Sequence, residues 1–150
     1  MRKLVLAVLG FTFALAAHAA PARADFGLGF FVGDPTGLDL KIGLGDRSGL
    51  DIVAGINQLD APRVNYGHLT YLATPLVAQA NSIVVPVRIG IGGAVFGHSD
   101  DLQFGVRVPA ELAIRLRSSP IEFYGEVALM LVFNNGDLDL QGGGGIRFYF

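Results

Sequence analysis

From Phe26 to the end of the chain, hydrophobic and polar positions alternate with a period of two. The pattern is longest over residues 104–116. One face there carries Phe104, Val106, Val108, Ala110, Leu112, Ile114 and Leu116, and the other carries Gly105, Arg107, Pro109, Glu111, Ala113 and Arg115. Residues 121–133 repeat it, with Ile121, Phe123, Gly125, Val127, Leu129, Leu131 and Phe133 opposite Glu122, Tyr124, Glu126, Ala128, Met130 and Val132. The final segment sets Leu138, Leu140, Ile146, Phe148 and Phe150 against Asp139, Gln141, Arg147 and Tyr149. Successive side chains of a strand point to opposite faces, so charges confined to one parity mark long amphipathic strands.

Eight such segments are predicted, at about 26–33, 37–44, 50–57, 64–73, 83–96, 104–116, 121–133 and 138–150. The links between them carry turn chemistry, as in Asp34-Pro35-Thr36-Gly37, Gly45-Asp46-Arg47-Ser48-Gly49, Gly97-His98-Ser99-Asp100-Asp101, Ser118-Ser119-Pro120 and Asn134-Asn135-Gly136-Asp137. Short links between neighbours imply an antiparallel meander, and no linker or second domain interrupts it. The link over residues 74–82 fits poorly, being long and apolar on what should be the short-turn side. Either the fourth strand runs further or this segment packs on a barrel rim.

A closed meander can turn its apolar face inward, as in a soluble lipocalin-like barrel, or outward, toward lipid. Composition favours the second. Of the 150 residues, 51% are hydrophobic and 16% charged, against roughly 25% charged in ordinary soluble domains. The mean hydropathy is +0.49, which also excludes a disordered chain. The polar face holds little Lys or Glu. It is built from isolated charges and small residues such as Gly27, Gly29, Gly43, Gly90, Gly92, Ala94, Gly143 and Gly145, which suit a crowded eight-stranded lumen. Phe, Leu, Ile and Val of the other face would overfill so narrow an interior. Strands of about 10–13 residues, tilted near 40°, match the roughly 25 Å apolar band of an outer-membrane barrel. The fold expected is therefore all-β, an eight-stranded antiparallel up-and-down transmembrane β-barrel over residues 25–150.

The chain opens with Met1-Arg2-Lys3, an apolar run from Leu4 to Ala17, and two Ala-x-Ala sites, Ala17-His18-Ala19 and Ala22-Arg23-Ala24. This layout predicts a signal peptide over residues 1–24, cleaved after Ala19 or Ala24. An anchoring helix is the alternative, but the run falls short of the roughly 20 apolar residues that a span requires. Without Cys there is no disulfide or thiolate metal site. Three of the 11 basic residues precede Asp25, so cleavage there moves the formal net charge from -2 to -5. That excludes a nucleic-acid partner for want of a basic patch.

These features together resemble the small outer-membrane barrels of the OmpA/OmpX type. The chain ends Ile146-Arg147-Phe148-Tyr149-Phe150. The resemblance implies a bacterial outer-membrane location, with Ile146, Phe148 and Phe150 presented as a signal to the barrel-assembly machinery. More narrowly, Gly33-Asp34-Pro35-Thr36-Gly37-Leu38, Phe104-Gly105-Val106-Arg107-Val108-Pro109 and Pro120-Ile121-Glu122-Phe123 resemble an uncharacterised bacterial family of such barrels. That family usually has Glu in place of Asp34. It shows a His-x-Asp-Tyr pattern where this chain has His68-Leu69-Thr70-Tyr71, which leaves the register of the fourth strand open. The resemblance brings a fold and a location, without an activity.

Candidate chemistry rests on the inward polar set: Asp39, Lys41, Asp51, His68, Arg88, Arg107, Glu111, Arg115, Glu122, Glu126 and Arg147. One reading is an ion path or paired carboxylates for acid–base work. The plainer reading is a lumen charge network, because buried charges must be paired and both signs occur in near-equal number. Glu122 and Glu126, four apart on one strand, lie about 13 Å from each other, too far for a catalytic pair. His98-Ser99-Asp100 has the letters of a triad, but consecutive turn residues cannot act in series. Lipid hydrolases of this size use His, Ser and an acid on the rim, and no His-x-Ser-Asn stretch occurs. His18, His68 and His98 lack metal-ligand spacing, and the glycines of 142–145 precede no helix that would cradle a phosphate. With no Trp, Phe26, Tyr71, Phe104, Phe123, Phe133, Phe148 and Phe150 would anchor the chain at the bilayer interfaces. The function expected is structural or interaction-based, in a monomer with a lumen plugged by side chains and without catalysis, metal or cofactor. The alternatives are a lipid-modifying enzyme and a narrow pore.

Overall fold

In the computed structural model, which describes residues 26–57, 64–98 and 100–150, the alternating segments become eight strands. They are β1 (Phe26–Asp34), β2 (Thr36–Gly45), β3 (Ser48–Asn57), β4 (Val64–Gln79), β5 (Ile83–His98), β6 (Asp101–Leu116), β7 (Ile121–Val132) and β8 (Leu138–Tyr149). Each pairs antiparallel with the next, and β8 closes on β1 from Gly27↔Tyr149 to Asp34↔Gly142, giving a closed barrel. Closure leaves no free sheet edge along the paired wall and satisfies its backbone hydrogen bonds internally. The expected signal peptide lies outside the described residues.

The two faces differ sharply. Outward positions are apolar and exposed: Phe30 is 60% exposed, Val32 67% and Leu140 70%. All seven aromatics expected as anchors point outward and are exposed. Phe26 and Phe150 meet at the rim that carries the chain ends, with ring centroids 6.4 Å apart. Phe133 and Phe104 meet at the opposite rim, where the Phe133 amide donates to the Phe104 carbonyl at 2.9 Å. Inward positions are mostly small or polar, with Phe31, Val53, Leu72, Met130 and Val132 the larger apolar side chains buried among them. At Gly145 an added Cβ would come within 2.5 Å of both the Tyr124 ring and the Phe30 carbonyl oxygen, so bulky lumen side chains sit directly over glycine backbone.

Three strands run longer than the sequence pattern marks. β4, β5 and β6 have 16 residues each. The segment 74–82 is resolved as the end of β4 and the turn into β5. A register shift between Ala73 and Leu76 passes Pro75, and pairing resumes from Leu76↔Val87 to Gln79↔Val84. β3 begins at Ser48, opposite Ala73, so this hairpin projects beyond β3 at the rim. Arg117 ties down its tip. Its Nε donates to the Ala80 carbonyl at 3.1 Å, its Nη2 to Gln79 Oε1 at 2.7 Å and its amide to the Ser82 carbonyl at 3.0 Å. At the other rim β5 and β6 pair as far as His98↔Asp101, so His98 belongs to a strand rather than to a loop. The register of β4 is settled by His68, which lies between Val53 and Ala94.

Candidate functional site in the barrel lumen

The lumen is filled by charge. Arg147, fully buried on β8, donates through Nε to Asp39 Oδ2 at 2.6 Å and through Nη2 to Asp51 Oδ1 at 2.6 Å. Its Nη1 reaches Glu111 Oε2 at 2.7 Å and Glu122 Oε1 at 3.2 Å, and its guanidinium lies 3.6 Å over the Tyr124 ring. Arg88 crosses from β5 to the same acids. It donates to Glu111 and, through Nη1 and Nη2, to both oxygens of Glu122 at 3.0 and 2.7 Å. Two tyrosines complete the layer, Tyr149 donating to Glu122 Oε1 at 2.9 Å and Tyr124 to Asp39. This is charge-assisted bonding, bidentate between Arg88 and Glu122, and about twice as strong as between neutral partners.

A second group sits nearer the opposite rim. Arg107 donates to Thr70 Oγ1 at 3.1 Å, to Glu126 and to His68 Nε2 at 3.0 Å. Because the guanidinium can only donate, that contact requires Nε2 to accept. The 3.5 Å approach of the same nitrogen to Asp51 is then not a hydrogen bond in that tautomer. Above this group Tyr66 donates to Gln141 Oε1 at 2.8 Å and stacks on Phe96, centroids 6.0 Å apart.

Asp39, Lys41, Asp51, His68, Arg88, Arg107, Glu111, Glu122, Glu126 and Arg147 are all buried in the lumen. Arg115 departs from them. It is half-buried at the mouth near the chain ends, its guanidinium 4.0 Å over the Tyr149 ring. Glu122 and Glu126 fall in different groups, held by Arg88 and Arg107 respectively. Among the described residues no set of three His, Asp or Glu side chains is arranged to hold a metal. The sequence reading did not assign roles to Tyr66, Thr70, Tyr124, Gln141 or Tyr149. Their inward parity was the available signal: Tyr124, Gln141 and Tyr149 lie two residues from Glu122, Asp139 and Arg147 respectively, and Tyr66 and Thr70 lie two residues from His68. Ile146, Phe148 and Phe150 lie outside the lumen, along the last strand and its end.

Apolar side chains outside and paired charge inside define a small closed eight-stranded antiparallel barrel whose apolar face points outward. It is similar in fold to the crystal structure of the N-terminal β-barrel domain of OprF from Pseudomonas aeruginosa, with a TM-score of 0.55 and 14% sequence identity. That match covers 85% of this chain and 96% of the OprF domain, and the likeness is one of fold. No family model and no curated protein matches the chain.

Proposed function

We propose that the chain is an integral protein of the bacterial outer membrane that acts as a structural or interaction element, without catalysis. In this reading residues 1–24 are a cleaved signal peptide, both ends of the barrel chain face the periplasm, and the barrel stands as a monomer in the bilayer. Ile146, Phe148 and Phe150 serve as its signal to the barrel-assembly machinery. The observation that carries the proposal is the inside-out arrangement. Phe30, Val32, Leu138 and Leu140 are each at least 60% exposed within an outward face of exposed apolar side chains, more apolar surface than a soluble monomer leaves in water. The opposing acids and guanidinium groups across the lumen support a plugged interior. The guanidinium groups of Arg88, Arg107 and Arg147 reach acids on other strands, so a solute would have to part several ion pairs to pass. The test pairs bilayer conductance of the refolded protein with the lipid A profile of cells with and without it. The reading expects no discrete conductance and unchanged lipid A. Steady open-channel steps would favour the pore, and loss or gain of an acyl chain would favour the enzyme.

A further inference from the structure

His68 stands where the two charged groups of the lumen meet, and one of its ring nitrogens faces both. Nε2 is 3.0 Å from Arg107 Nη1, which can only donate, and 3.5 Å from Asp51 Oδ2, which as a carboxylate can only accept. A single ring nitrogen serves one of these at a time: it accepts when bare and donates when protonated. The neutral ring belongs to Arg107. Asp51 is placed for the other state, because Arg147 bonds it through Oδ1 and leaves Oδ2 turned toward the imidazole. The far side of the ring is not pinned. Nδ1 is buried without a hydrogen-bond partner among the described residues. A tilt that shortens the 3.5 Å contact to an ordinary hydrogen bond of about 3.0 Å therefore meets only packing.

The surrounding charges leave room for a proton. Facing His68 are Asp51 on β3, Arg107 on β6 and, on its own strand, Tyr66, whose ring meets the imidazole edge-on at 5.9 Å. Behind these stand Glu126 on β7, bonded to Arg107, and Arg147 on β8, bonded to Asp51. On β5 the residue opposite His68 is Ala94, which carries no charge. In the two groups together Asp39, Asp51, Glu111, Glu122 and Glu126 oppose Lys41, Arg88, Arg107 and Arg147, all buried. With His68 neutral and every carboxylate ionised, that set has one negative charge in excess, and a proton on His68 cancels it.

We propose that His68 is a proton-operated switch between the two groups. As pH falls, a proton from solvent enters the Nε2 lone pair. The bond from Arg107 Nη1 to Nε2 breaks, and a bond from Nε2 to Asp51 Oδ2 forms. Arg107 keeps Thr70 and Glu126 and is pushed away from a ring that now carries like charge. Acid thereby ties β4 to β3 and loosens the β6 cation, at the end of the lumen away from the chain ends.

The full folded chain, carrying isotope-labelled histidine and arginine, is followed by proton–nitrogen NMR in maltoside micelles from about pH 8 to about pH 4, through and below the range of an unperturbed imidazole. His68→Gln assigns the His68 signals. At the upper pH Nε2 should be bare and Nδ1 protonated. On acidification both should become protonated, and the Arg107 guanidinium signals should move with the same midpoint. His68→Gln, whose amide oxygen can still accept from Arg107, should abolish that movement. Asp51→Asn keeps the shape and removes the anion, and its His68 should still be neutral at the pH where half of the parent's has converted. Gel mobility with and without boiling checks the folding of each variant. If neither variant folds, the two ring nitrogens of the parent decide the matter alone. Nε2 already protonated at about pH 8, no protonation by about pH 4, or an Arg107 transition that persists in His68→Gln would overturn the switch. The measurement depends on neither location nor activity, so its failure leaves the proposed function standing.

Discussion

Arg147 has four carboxylates within reach and no exposure to water. Removing a buried ion from water costs several kcal/mol, recovered only when its partners are close and well oriented. A substitution on one side of such a network therefore does more harm than the net worth of the network suggests, because the acids stay buried without their cation. Arg147→Met should cost about 3–5 kcal/mol, read as a lowered urea midpoint for unfolding from lipid vesicles. A midpoint within experimental scatter of the parent protein would show that water already reaches these acids. At this scale the sequence was legible as to which residues face inward, since parity alone assigns Arg147, Glu111 and Asp39 to one side. It was silent on partners. Arg147 and Asp39 are 108 positions apart, and only the closed register brings them together. Arg115 shares the parity of Glu111 but lies half-buried at the mouth, over the Tyr149 ring, and no local pattern signals that depth.

Strand β6 shows how an element divides its two faces. Leu112 is 55% exposed and Ala113 fully buried, one residue apart. Leu112→Arg should lower folding into bilayers by about 2–4 kcal/mol if that position lies near the midplane, whereas Ala113→Ser should be tolerated. The reverse order, measured by vesicle folding equilibria, would mean that the faces are inverted. The β4–β5 hairpin behaves as a separate part of the same sheet. Its tip is secured by Arg117 rather than by a neighbouring strand on the β3 side. Arg117→Ala should raise amide hydrogen exchange over residues 79–83 while moving global stability by no more than about 0.5 kcal/mol, as for an exposed contact. Unchanged exchange there would show that pairing with β5 alone holds the tip. The length of β4 was hard to read because Pro75 interrupts the alternation and Ala78, Gln79 and Ala80 carry little hydrophobic contrast. Pairing with the strongly patterned β5 overrides that weak local signal. The ends of β5 and β6 were underestimated for a related reason, since His98 and Asp101 look like turn residues yet pair directly.

For the whole molecule, the closed register and the inverted faces make one argument. Closure removes the open edge that would otherwise exclude a sheet from hydrocarbon, and the apolar belt then has a medium to face. The chain finishes on Phe150, 81% exposed beside Phe26. Deleting Phe150 should reduce the amount of protein recovered from the outer membrane and increase periplasmic degradation, with a smaller effect on folding into synthetic bilayers. Normal outer-membrane levels after the deletion would remove the assembly role and leave the barrel itself intact. The central claim, that the apolar face meets lipid, is open to a direct measurement because the chain has no Cys. Single cysteines placed in turn at residues 106–114 of β6, each carrying a nitroxide, can be scanned by electron paramagnetic resonance in reconstituted bilayers. Collision with dissolved oxygen is compared with collision with a water-soluble nickel complex. The account predicts a period of two, with Val106, Val108, Ala110, Leu112 and Ile114 strongly oxygen-accessible and shielded from nickel, and the odd-numbered positions shielded from oxygen. Nickel access at the even-numbered positions, or no periodicity at all, would contradict it.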